Sequence, residues 1–157
     1  MDVLAEKEGK VYGAITIHGP GDFESPFPKS LFACLIWDHA GHLGPEERSI
    51  VANTLIEAGC RYAVCGGANC EAWHDAVDTE DIKKHVAASD AVREEELVMT
   101  TWHDHESADD VAYFFVENTD FGNHDFNRYL VLHIGTSDVT DVLHAAVRKY
   151  ARNEKTA

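Results

Sequence analysis

Four short apolar runs, residues 31–37, 61–65, 97–101 and 129–134, each end at a stop rich in Asp, His, Cys or Gly. Short apolar runs bounded by turn-forming residues are the pattern of strands covered on both faces. Between them the period changes. Val51, Leu55 and Ala58 recur at helical spacing behind Gly44 and Pro45, with Glu46 and Glu47 in the first turn and Gly59 at the stop. That is the punctuation of a complete helix. Ala72, Trp73, Ala76 and Val77 repeat in the same way after Asn69, a capping residue, and a second short helix is expected after Asp78 or Thr79. Ser107 and Asp110 resemble a capping box ahead of Val111, Phe114 and Phe115. After Ser137, read as a cap, Val139, Val142, Leu143, Ala146, Val147 and Tyr150 form one stripe, closed by Arg148, Lys149 and Arg152.

Strand, helix and strand joined by minimal turns indicate right-handed parallel crossovers. The expected fold is a single α/β domain over residues 1–157, three-layered α/β/α, with a mostly parallel sheet of four to five strands, flavodoxin-like or Rossmann-like. Residues 1–10 are polar and expected to be frayed, and residues 11–17 suit a short edge strand. Residues 19–28 hold three of the four prolines and read as irregular, with Phe23 and Phe27 pinning the loop to the body. Residues 118–128 fall on a helix-to-strand connection and are expected at the opposite end of the sheet from any ligand crevice.

Ligand sites in open α/β sheets lie at the carboxyl ends of the strands. Asp38, His39, Gly66, Gly67, Asn69, Trp102, His105, His133 and Thr136 would converge there, and they are the expected binders of a small polar ligand. Cys70, just after Asn69, would have its thiolate favoured by a helix N-terminus. With His103 or another histidine as base and Asp38 or Asp104 orienting it, Cys70 or Cys65 would form a Cys-His-Asp arrangement for acyl transfer. The expected class is therefore a ligand-binding protein, with hydrolase or transferase chemistry as its catalytic form. The competing assignment for each cysteine is a small buried thiol. Nucleophile elbows place glycine two residues to either side; around Cys65 only Gly67 fits, and Ala68 and Ala72 flank Cys70.

His39, His103 and His105 are candidate ligands for a divalent metal, which would make the chain a metal-dependent enzyme. No HExxH spacing accompanies them. On an extended segment His103 and His105 would face the same way. His18, His74, His85 and His144 are assigned to helix surfaces or loops. Trp37 and Trp102 could stack on a planar ligand or fill the core, and Trp73 reads as core.

Charge narrows the partners. A net charge of -15 argues against nucleic-acid binding through phosphate contacts and against anionic membranes. The acidic excess is densest from Asp78 to Asp110, a solvated face or a docking surface for a basic protein. With the 118–128 loop as a homodimer contact, that face gives an alternative class, a noncatalytic interaction or regulatory module. Four cysteines without CxxC spacing, no membrane-length apolar run and no signal-like start point to a cytoplasmic protein with reduced thiols.

Overall fold

The computed structural model describes residues 1–87, 96–122 and 124–153. Among these residues the strands are β1 (Asp2–Lys7), β2 (Lys10–Ile17), β3 (Phe32–Asp38), β4 (Cys60–Gly67), β5 (Met99–Trp102) and β6 (Arg128–Ile134). The helices are α1 (Pro45–Ala58), α2 (Cys70–Ala87), α3 (Ala108–Glu117) and α4 (Val139–Arg152). The fold is α/β, with one six-stranded sheet in the order β1-β2-β6-β3-β4-β5. Only the β1–β2 pair is antiparallel.

Every residue of β3 is buried, because helices cover both faces of the sheet. Cys34 and Ile36 join the cluster built with Val51 and Leu55 of α1 and Trp73 of α2. Ala33, Leu35 and Trp37 join the opposite cluster, with Val111 and Phe115 of α3 and Leu143 of α4. This division follows the two-residue repeat of a pleated strand. It also fixes the winding. The chain moves outward from β3 to β5 through α1 and α2 on one face, then returns to β6 through α3 on the other, as right-handed crossovers require.

Several sequence expectations need correction. The sheet has six strands rather than four or five, because residues 2–7 are an edge strand instead of a frayed end. Leu4 and Ala5 are buried there, and Glu8 and Gly9 turn the chain with positive φ. β2 is consequently an inner strand. The region after Asn69 is one 18-residue helix, not two, and the proline-rich loop contains a short 3-10 turn at Pro20–Asp22. β5 begins at Met99 rather than Leu97 and is partly exposed. Val142 is exposed rather than part of the buried stripe.

The helix ends follow the sequence closely. Gly44 precedes Pro45, and Gly59 closes α1 in the left-handed region at φ 113°. Ser107 accepts the Asp110 N–H. Phe27 is buried and Phe23 packs against the same cluster, so the proline loop is pinned to the body. The four cysteines are buried free thiols. The 118–128 loop, with Asn123 outside the described residues, sits at the amino ends of the strands, where Phe121 meets Tyr62 edge to face.

Asp38 ties the end of β3 to its surroundings. Its buried carboxylate accepts the Trp73 indole N–H at 2.9 Å and the Gly41 and Ala40 backbone N–H groups at 2.8 and 3.3 Å. Trp73→Phe keeps most of the ring volume and leaves one of those acceptor sites unfilled. It should lower unfolding stability by about 1–3 kcal/mol, measured by urea denaturation; a loss below about 0.5 kcal/mol, roughly half a typical net hydrogen bond, would remove this tie from the account.

Candidate functional site

The carboxyl ends of the parallel strands carry two distinct groups of side chains rather than one. The first is a crevice of about 720 Å³ beside the N-terminus of α2 and the turn after β5. Gly67, Asn69, Cys70, His103, Asp104 and His105 line it, together with Trp37, Ala68, Ala72 and three carboxylates not among the expected site residues, Glu71, Asp75 and Glu106. No Lys or Arg is among the lining residues. Glu71 and Asp75 were recoverable in principle, since residues four apart on a helix share a face.

Local backbone shape builds this crevice. The Trp37 ring lies over Gly66, where a Cβ would come within 2.7 Å of it. Gly67 is in the left-handed region at φ 76°, and a side chain there would collide with the Asp38 carbonyl. Ala68 then donates its N–H to that carbonyl at 2.8 Å, and Asn69, at φ 54°, passes the chain into α2.

Cys70 is only 4% exposed. Burial pushes its thiol upward and the charge of Asp104 adds to this, outweighing the backbone N–H groups of Glu71, His103 and Cys70 that favour the thiolate. Cys65 is not at the crevice wall but inside the core, its thiol held far above the ordinary range by burial. His103 is 8% exposed, with Nδ1 2.7 Å from Glu106 and Nε2 3.0 Å from the Thr101 hydroxyl. Assigning the Nδ1 proton toward the carboxylate makes Nε2 the acceptor of the Thr101 O–H. Both ring nitrogens are therefore occupied within the fold.

His105 lines the same crevice as His103 but is not buried with it: its backbone is left-handed, φ 60°, and its side chain is 92% exposed. Trp102 is 46% exposed and packs on His74 with ring centroids 4.5 Å apart, outside the crevice. Asp38 lies beneath it, already hydrogen-bonded.

The second group joins the ends of β3 and β6. His39 Nδ1 lies 2.6 Å from the Ser137 hydroxyl and its Nε2 lies 2.8 Å from His133 Nδ1. His133 Nε2 lies 2.8 Å from His144 Nε2. His133 is completely buried, and Thr136 beside the chain is exposed. The assignment of His144 to the surface is corrected: α4 carries it inward against β6. Its place beside Leu143, on the buried side of α4, is the sequence signal that was available.

Candidate metal ligands are thus dispersed, with His39 in this second group and His103 and His105 at the crevice. Among the described residues no three His, Cys, Asp or Glu side chains are grouped to hold a metal ion. Burial lowers the basicity of His39 and of His144, where Arg148 adds to the effect. His133 falls to about 3, first through burial and then through its two histidine neighbours.

Fold and sites together define an α/β protein with a mostly parallel sheet and polar groups gathered at the strands' carboxyl ends. The chain belongs to the family described as Domain of unknown function (DUF7684), whose model matches residues 17–150. No curated protein and no solved structure matches it. Among the described residues no helix is long and apolar enough to cross a membrane.

Two measurements follow from these environments. His133 contributes stability that is complete above its unfolded value of 6.5 and is lost as pH falls toward its folded value of about 3. The loss should reach on the order of 5 kcal/mol. Urea denaturation between pH 7 and pH 4 (a span chosen on linkage grounds) should show a steeper fall for the natural chain than for His133→Asn; parallel curves would contradict it. Separately, Asp104→Asn should lower the midpoint of the pH profile for Cys70 alkylation by iodoacetamide, because it removes a nearby negative charge. An unmoved or raised midpoint would contradict that electrostatic account.

Proposed function

We propose that this chain binds a small, polar, positively charged organic ligand in the crevice between α2 and the β5–α3 turn. One observation carries the reading: Glu71, Asp75, Asp104 and Glu106 line a cavity of about 720 Å³ with no Lys or Arg among its lining residues. The positive end of α2 opposes a cation there, but it amounts to about half a charge against four carboxylates. Trp37 offers apolar surface at the same wall, and an aromatic ring favours an alkylammonium over a hydrated metal ion.

The reading is one of binding without covalent chemistry at sulfur. A thiol pushed upward in pKa and a histidine with both nitrogens engaged are poor starting points for the hydrolase or transferase form using Cys70 or Cys65 with His103. The doubly wound, Rossmann-like description belongs with this proposal. Helices on both faces and the reversal of winding support it, although the parallel order β2-β6-β3-β4-β5 is neither of the two common doubly wound orders. The alternative class, docking through the acidic face, rests partly on Asp90, Glu94 and Glu95, which lie outside the described residues.

Titration of the isotopically labelled chain with 1,4-diaminobutane, followed by amide chemical shifts, tests the proposal. Saturable shifts should concentrate on residues 67–72 and 103–106 at millimolar ligand or below, an affinity of roughly 4 kcal/mol or better. The double variant Asp75→Asn, Asp104→Asn should weaken binding about tenfold. Shifts scattered over the acidic surface, or an affinity unchanged in the double variant, would sink the reading.

A further inference from the structure

The ends of β3 and β6 have a property that the crevice lacks. These strands are neighbours, yet the helix after β3 packs on one face of the sheet and the helix after β6 on the other. Their carboxyl ends therefore form the point where the winding reverses, the usual place for a ligand site in such sheets. His39, the residue after β3, and Ser137, three residues after β6, meet there at 2.6 Å. Behind them His133 and His144 continue the hydrogen-bonded row.

Each neutral imidazole has one donor and one acceptor nitrogen, so the direction of one bond in the row sets all the others. Ser137 Oγ already accepts the Val139 backbone N–H at 3.1 Å. Its own proton needs an acceptor, and His39 Nδ1 supplies one. His39 Nε2–H then donates to His133 Nδ1, and His133 Nε2–H donates to His144 Nε2. At the far end burial and Arg148 lower the basicity of His144, outweighing the opposite pull of Asp2 and Asp141. The result is a hydroxyl hydrogen-bonded to a basic nitrogen whose tautomer is fixed by a buried partner. This is the relation of nucleophile, base and orienting group used in acyl transfer, with a histidine in the place of the usual carboxylate.

We propose that Ser137 is an activated nucleophile for small acyl esters, with His39 as its general base and His133 and His144 as positioning residues. Ser137 and Thr136 are exposed, so a small acyl group can approach from solvent. Ser137 Oγ bonds to the acyl carbon as its proton passes to His39 Nδ1. Collapse of the adduct breaks the bond to the alkoxide, which leaves as the alcohol with that proton. Water then adds to the acyl-serine, giving a proton to His39, which returns it to Ser137 Oγ as the carboxylic acid departs. His39 ends each cycle neutral. The crevice at Cys70 takes no part, so failure of ligand binding there leaves this proposal standing, and the reverse.

The test is reaction of the full chain with an alkyl fluorophosphonate, which phosphonylates activated serines with loss of fluoride, followed by peptide mass mapping. Ser107, an exposed serine that caps α3 where Ser137 lies one residue before the Asp138 cap of α4, serves as the internal control. Ser137 should react about 100-fold faster than Ser107, the lower range for general base assistance. Ser137→Ala should lose the label, and His39→Gln, whose amide can hold the hydroxyl but cannot take its proton, should fall to the control rate. In the natural chain the rate should rise sigmoidally with pH, and His133→Gln should move that midpoint, which a merely structural role would not do. Labelling of Ser137 no faster than Ser107, a rate unchanged in His39→Gln, or a natural-chain rate without a sigmoidal step would overturn the proposal; the last criterion stands even if the variants fail to fold.

Discussion

The burial of the Asp38 carboxylate at the end of a fully apolar strand is the constraint around which both candidate sites are arranged. A carboxylate left without donors in such a place would cost several kcal/mol, and among the described residues its hydrogen-bond partners are three N–H groups rather than a cation. Each donor fixes something else. The Trp73 indole sets the depth of α2 against the sheet, and Gly41 and Ala40 fold the segment after β3 back over the carboxylate. The Asp38 backbone carbonyl takes the Ala68 N–H, which sets the turn from β4 into α2. His39 leaves this fixed point in one direction and Asn69 and Cys70 in the other, so one buried acid positions the histidine row and the crevice alike.

Much of this architecture is legible in the sequence because it is written in local terms. The Gly44-Pro45 start and Gly59 stop of α1, the Ser107 cap and the unbroken apolar run of β3 each need only neighbouring residues to be recognised. β1 is hidden for a physical reason. Its pairing with β2 shifts register between Val3 and Ala5, and Leu4 and Ala5 are buried in succession, so the two-residue repeat that identifies a half-buried strand is broken. The division of the strand ends into two sites is hidden for another. Gathering His39, His133 and Thr136 with Cys70 and His103 assumes that one edge makes one pocket, whereas strand order decides which ends are adjacent. β6 inserts between β2 and β3, and no local pattern announces that.

The histidines show how far residue type falls short of role. His103 and His105 are two residues apart and line one crevice, yet one is buried between Glu106 and Thr101 and the other is 92% exposed on a left-handed residue of the turn. His133 sits in an apolar run and could pass for a core residue with its nitrogens satisfied by backbone. Instead its two nitrogens meet two other imidazoles. Such a row is internally consistent only when it is neutral or carries one excess proton. A second proton would set two N–H groups against each other at one of the N···N contacts, and burial lowers the basicity of all three rings.

That restriction bears on what each site can do. The crevice is a place where carboxylates gather and where burial and Asp104 push a thiol upward in pKa, which is the basis for proposing that it holds a cation rather than attacks a carbonyl. The histidine row has the opposite character. It holds no fixed charge within its chain, and it can accept a proton at His39 while keeping every hydrogen bond intact, since His39 as imidazolium would still donate to His133 and toward Ser137. Proton uptake without rearrangement is what a general base requires. The carboxyl edge of this sheet is thus divided by electrostatics as well as by topology, with the carboxylates gathered at α2 and the row of imidazoles at the reversal of the winding.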